Sequence, residues 1–200
     1  FQAKLQREQA THLRLAGEGY ERNKYHGEYS KQTWGAAKVP TFSTPGVRYP
    51  DRAEHVVLDY AKAMNLLKLP VGEKWYTSEL KAHRLVLHRT TLGVDTVMVW
   101  PEYVAGKGFN ETASALIGEL YRFSTGAGHL FIHTDGCCSE FLNWGFVNLF
   151  DKLVQWRWFH RISWCVFIKG HSYNLCDAAA RAMDRALQNV DYYYGLTDMS

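Results

Sequence analysis

Asp59, Asp135 and Asp177 are the residues through which this chain could do chemistry. Each stands where the pattern around it changes: Asp59 late in HVVLDYA, Asp135 at the end of HLFIHTD, Asp177 at the opening of CDAAARAM. A carboxylate closing an apolar run is costly to bury unless it is paired, hydrogen-bonded or bound to a cation. The plain alternative for Asp59 and Asp135 is a strand end at the surface, with Asp135-Gly136 starting a turn. For Asp177 it is favourable placement in the first turn of a helix, a role that Asp184, two turns further on, rivals as third acid. Brought together, three carboxylates repel, and one takes up a proton unless a cation lies among them. Mg²⁺ and Mn²⁺ suit such a cluster, because they bind a few carboxylates and keep waters or substrate phosphate on the remaining positions. Two such ions, roughly 3.5–4 Å apart, activate a water or 3′-hydroxyl and stabilise the leaving oxygen in phosphoryl transfer. His171, shortly before Asp177, is placed to donate to a scissile phosphate or to orient Asp177; otherwise it is a hydrogen-bonded loop histidine. A zinc site built from Cys137 or Cys138 with His171 and Cys176 has suitable ligand types. It is the weaker alternative, because the spacing lacks a CxxC pair.

Positioning these residues requires a sheet. HVVLDYA, WYTSELKAHRLVLHRTT and VDTVMVWPEY are rich in Val, Leu, Thr, Tyr and Trp, and predict three successive strands. Pro70 and Gly72 break the first two apart, and the short TTLGVD predicts a hairpin between the second and third. FNETASALIGELYRFSTG has Ala113, Leu116, Ile117, Leu120 and Tyr121 at helical spacing, with Asn110 as expected cap and Gly126 soon after its end. HLFIHTD, NWGFVNLFDKLVQWRWF, RISWCVFIKGH and CDAAARAMDRALQNV then alternate strand, helix, strand, helix. The order β-β-β-α-β-α-β-α matches the ribonuclease H-like fold, an α/β fold with a mixed five-stranded sheet flanked by helices. There the first strand is central and the fourth lies parallel beside it, so Asp59 and Asp135 are expected at neighbouring strand ends.

Ahead of this lies a helical pattern over residues 1 to about 30, with leucines at 5, 13 and 15, and then GAAKVPTFSTPGVRYP, which holds three of the five prolines. Residues 1–50 are therefore expected to be a helical appendage with its connecting loop, and 51–200 the catalytic-type domain. Deleting residues 1–34 is expected to leave a folded core. The aromatic run around Trp156, Trp158, Phe159 and Trp164, interleaved with Arg157 and Arg161, suits stacking on unpaired bases, although such clusters more often close a core.

A chain of 200 residues that is 46% hydrophobic and 22% charged has the make-up of a folded, soluble protein, which excludes wholesale disorder. No apolar stretch approaches the roughly 20 residues that span a bilayer, and the first residues are not signal-like, so an intracellular protein is expected. Four unevenly spaced cysteines do not make a disulfide scaffold. The formal charge of +3 permits a polyanionic partner without demanding one. Starting at Phe1 rather than Met, the chain is expected to be part of a longer polypeptide.

HVVLDYAKAMNL, VAGKGFNETASAL, HTDGCCSEF and KGHSYNLCDAAARAM together resemble, in order and spacing, an uncharacterised family of eukaryotic proteins similar to transposon-derived DDE/D domains of the transposase and integrase type. The resemblance covers roughly residues 54 to 187, and its most specific parts are Gly108, Asn110 and Glu111, and Gly170, His171, Ser172, Cys176 and Asp177. It implies a nuclear, divalent-metal-dependent enzyme of DNA strand cleavage and transfer. Asp59, Asp135 and Asp177 would hold Mg²⁺ or Mn²⁺. A nuclease on the same fold, acting on DNA or RNA, would use the same site, and a homo-oligomer is open. The chain departs from the pattern after each acid. Glu140, Phe141, Leu142 and Asn143 stand where the family has a polar stretch, and Lys62, Ala63, Met64 and Asn65 where it has Gln-Asn. Metal ligands kept beside altered substrate contacts raise the alternative of a domesticated, weakly active or inactive domain that binds nucleic acid or supports assembly.

Overall fold

The computed structural model describes residues 2–65, 81–137, 140–168 and 175–188. Its strands are β1 (Tyr49–Asn65), β2 (Lys81–Arg89), β3 (Val94–Pro101), β4 (Ala127–Thr134) and β5 (Arg161–Val166). Its helices are α1 (Gln2–Trp34), α2 (Phe109–Arg122), α3 (Trp144–Gln155) and α4 (Leu175–Gln188). The strands form one five-stranded sheet in the order β3-β2-β1-β4-β5. β1 pairs antiparallel with β2, and β2 with β3, while β1 and β4, and β4 and β5, are parallel. The chain is thus α/β with a mixed sheet flanked by helices and β1 at its centre. The break LLKLPVGEK and the start of the expected second strand lie outside the described residues.

The turn between β2 and β3 closes with Arg89 opposite Val94, and Gly93 takes φ +65° there, which a side chain would resist. α2 begins two residues earlier than its sequence signal: Gly108 is the cap, and the Glu111 carboxylate accepts from the Gly108 N–H at 2.9 Å. Asn110 lies inside the first turn. Asn143 caps α3, its side chain accepting from the Phe146 N–H.

Strand alternation divides the core in two. Val56, Leu58, Leu85, Leu87, Leu130 and Ile132 point to one face and pack against Leu116 and Leu120 of α2 and Phe146, Leu149, Phe150 and Leu153 of α3. Val57 and Val86 point to the other face, against Cys176, Ala179 and Ala180 of α4. Within the first layer Arg89 and Glu54 form a buried ion pair, with Arg89 Nε donating to Glu54 Oε1 at 2.7 Å. Thr125 Oγ1 donates to Glu54 Oε2 at 2.6 Å, and Glu119 Oε1 stands 3.7 Å from the Arg89 guanidinium.

α1 covers the rest of the second face with its C-terminal half. Asn23, Gly27, Ser30 and Trp34, spaced by three or four residues, are its buried stripe. The Trp34 indole N–H donates to the Ala53 carbonyl at 2.8 Å. A Cβ at Gly27 would meet Thr90 Cγ2 at 3.2 Å and His55 Nδ1 at 3.4 Å, so glycine lets the helix approach this closely. Beneath it sit His55 and His133, whose pKa values burial pushes down to about 2 and about 3, with neighbouring histidines adding to the effect. The boundary near residue 50 is therefore one of sequence order only. In space the second half of α1 belongs to the cover of the sheet, which revises the expectation of a dispensable appendage.

Candidate functional site

The parallel register pairs Leu58 with Thr134 as the last matched residues of β1 and β4. Asp59 and Asp135 are the next residue on each chain, so they leave the pairing side by side, at a strand spacing of about 4.8 Å. Alternation sends Leu58 into the α2–α3 layer and Asp59 toward the α4 face; the same alternation, carried one residue beyond Thr134, puts Asp135 on the face of His133. Both residues are half-buried.

α4 carries Asp177 in its first turn. Its first turn is anchored by Cys176, whose thiol donates to the carbonyls of Val57 at 3.4 Å and Val86 at 3.6 Å. Val86 is the register partner of Asp59, and Asp177 is the next residue after Cys176. Burial pushes the Cys176 thiol well up, and the negative charges of Asp59, Asp95 and Asp177 add to this against a backbone hydrogen bond from His88. Asp184 is otherwise engaged: it pairs with the Arg84 guanidinium, whose Nε also donates to the Lys62 carbonyl at 2.8 Å. Asp177, not Asp184, lies at the end of α4 that carries Cys176.

Asp135 Oδ1 is buried and has no hydrogen-bond partner among the described residues. A buried carboxylate oxygen in that state needs a proton, a water or a cation. Carboxylate oxygens are the donor type that Mg²⁺ and Mn²⁺ take, yet among the described residues Asp59, Asp135 and Asp177 do not each bring an oxygen within ligand distance of the other two. His171 lies outside the described residues, as do Cys138, Gly170 and Ser172. The zinc arrangement is not assembled by its described members. Cys137 packs against the α2–α3 layer and Cys176 against the opposite face, with the sheet between them.

The residues after Asp135 divide in their roles. Phe141 is fully buried between Tyr60 and Phe146, which corrects its reading as a lost substrate contact: it is a core side chain. Leu142 is 45% exposed. Glu140 lies 3.5 Å from Lys107 Nζ, which in turn stands 5.0 Å from the Tyr60 ring centroid. Burial pushes the Tyr60 phenol up to about 12, against a hydrogen bond with Thr112 and with help from the charges of Glu140 and Glu111. Glu140 thus sits near the residue that follows Asp59, and a lysine partly neutralises it.

Among the aromatics, Phe159 is buried and Trp158 and Trp164 pack on the core, whereas Trp156 is 58% exposed and Trp144 79% exposed. Under α1, His26, His133 and Cys165 form a tight group of possible ligands, the one such group among the described residues. Sequence reasoning did not single it out; the strand alternation that aligns His133 with Val57 was the available signal.

Compared with protein-family models, with curated proteins and with solved structures, the chain matches none. The fold and the carboxylate geometry are therefore the grounds for a function.

Proposed function

We propose that the chain is a ribonuclease H-like domain of the DDE/D transposase and integrase type, which cleaves and joins DNA strands with Mg²⁺ or Mn²⁺. The observation that carries this reading is the emergence of Asp59 and Asp135 side by side from parallel strands, with one buried Asp135 oxygen left without a partner among the described residues. Asp59 and Asp135 would bind metal from the two strand ends, and Asp177 would close the site from the first turn of α4. The bound ions supply activation of the attacking oxygen and stabilisation of the leaving one. His171 is the proposed proton donor or positioner of Asp177. Membership of the transposon-derived family, a DNA rather than RNA substrate and a nuclear location belong to the same proposal. The described residues contain no helix long and apolar enough to cross a membrane.

Mn²⁺ titration by calorimetry tests the metal site. The wild-type chain is expected to bind Mn²⁺, and the Asp59→Asn/Asp135→Asn double variant to lose that binding while keeping its unfolding temperature. Equal heats from the two proteins, or none from either, overturn the reading. Incubation of the wild type with labelled DNA and Mn²⁺ then separates strand-transfer products from the simple nicks of a nuclease.

A second reading, a non-catalytic nucleic-acid-binding or assembly module on the same fold, is favoured by the exposed Leu142 and Trp144 just beyond Glu140. Mn²⁺-independent DNA binding without cleavage would select it.

Glu140 gives a prediction common to both. Glu140→Gln removes a negative charge near the strand ends and leaves Lys107 uncompensated. DNA affinity at low salt is expected to rise by roughly two- to fivefold, the scale of one partly exposed charge pair. The gain should shrink at high salt, where screening has already weakened the repulsion. Fluorescence anisotropy across a salt series reads this, and an unchanged affinity at every salt concentration would mean that Glu140 faces away from bound DNA.

A further inference from the structure

We propose that His26, His133 and Cys165 form a second metal centre, distinct from the carboxylates, which takes a Zn²⁺ ion and clasps α1 to the sheet. The geometry begins with the β4–β5 register, in which His133 and Cys165 are direct partners. Neighbours in register on parallel strands present their side chains to the same face. α1 lies over that face and lowers His26 onto it: His26 Nδ1 is 2.9 Å from His133 Nε2, and the His26 ring stacks on Phe131 at 4.1 Å between centroids. One ligand atom from each of His26, His133 and Cys165 lies within 4.8 Å of the other two. Three elements distant in sequence thus deliver two imidazoles and a thiol to one point. A hydrogen bond between the histidines accounts for the imidazoles, but it gives no reason for a thiol beside them.

The donor types select the ion. Imidazole and thiolate are ligands of zinc and poor ligands for Mg²⁺, so the two centres take different metals. Three protein ligands leave a fourth position for water. Two buried polar atoms near the group have no hydrogen-bond partner among the described residues, His55 Nε2 and Asn23 Oδ1. The His55 ring stands 5.1 Å from that of His133, and Asn23 precedes His26 by three residues on α1. A metal-bound water is the kind of partner such atoms require. Burial pushes the Cys165 thiol up, against the positive charge and hydrogen bond of Arg22, whose guanidinium is the ion's competitor there. Arg22 is solvent-exposed, so it can turn outward when the ion arrives, and binding releases the thiol proton to solvent.

Co²⁺ titration of the reduced 200-residue chain, with Mg²⁺ in excess to fill the carboxylates, tests the proposal by absorption spectroscopy. The wild type is expected to develop a thiolate-to-cobalt charge-transfer band that Zn²⁺ abolishes. Cys165→Ser should lose the band, and His26→Gln should weaken Co²⁺ binding by at least about tenfold, the scale of losing even an outer-shell partner. Asp59→Asn/Asp135→Asn should keep it. No band in the wild type, a band that survives Cys165→Ser, or one lost with the aspartates overturns the proposal. Alkylation of the wild type provides a measurement independent of whether the variants fold. Zn²⁺ should protect Cys165 from iodoacetamide, read by peptide mass spectrometry, and an unchanged rate at Cys165 would refute the clasp.

Discussion

Arg89→Met is expected to destabilise the chain by about 3–5 kcal/mol, the cost of stranding a buried charge by removing its partner. Arg89 and Glu54 are each almost wholly inaccessible, and the Arg89 side chain faces Glu119 as well. Without the guanidinium, two buried carboxylates remain in one apolar layer, held among the described residues by Thr125 Oγ1 on Glu54 and Thr96 Oγ1 on Glu119. Urea denaturation monitored by tryptophan fluorescence measures the loss. The triple variant Arg89→Met/Glu54→Leu/Glu119→Leu removes all three charges together, so it should be much less destabilised than the single variant. A single variant within about 0.5 kcal/mol of wild type, the range of an ordinary surface substitution, would show that water reaches the pair.

Deletion of residues 1–34 is expected to abolish cooperative unfolding of the remainder. Losing the buried Trp34 alone is worth about 3–5 kcal/mol on the scale of large-to-small core truncations. The deletion also uncovers His55, Phe131 and His133, whose cover is the stripe Asn23, Gly27, Ser30 and Trp34. Against a total stability of typically 5–15 kcal/mol, that loss is decisive. Deleting only residues 1–15 is the control. The side chains of residues 6–15 are all exposed, so this shorter cut should leave the unfolding temperature nearly unchanged. A sharp transition retained by the chain lacking residues 1–34 would mean that α1 contributes nothing to the fold.

The order and type of the elements were legible in the sequence because β-branched and aromatic runs alternate with helical spacing from residue 54 onward. The adjacency of Asp59 and Asp135 was legible too, since it follows once the first strand is central and the fourth parallel to it. The docking of α1 was not. Its contact stripe is Asn23, Gly27, Ser30 and Trp34, mostly small or polar residues, whereas the leucines that marked the helical pattern include Leu13 and Leu15, both exposed. Phe141 was misread for a related reason. A loop residue beside a charged one looks like surface, and only the packing of Tyr60 and Phe146 around it reveals a core position. The His26, His133 and Cys165 group joins three separated elements, and no local spacing announces such a meeting.

The parallel pairing of β1 with β4 also sets the order in which this protein can come into being. β1, β2 and β3 follow one another in the chain and pair antiparallel, so their pairing joins segments close in sequence. β4 must instead close a long loop containing β2, β3 and α2 before it finds β1, and such non-local closures are slow. Asp59 is therefore in place early and harmless by itself. The acidic pair exists only once β4 has docked, and the third carboxylate only once α4 has followed. Under the proposed function, a nascent chain would carry no assembled centre, which would confine metal capture to molecules in which β4 and α4 have docked.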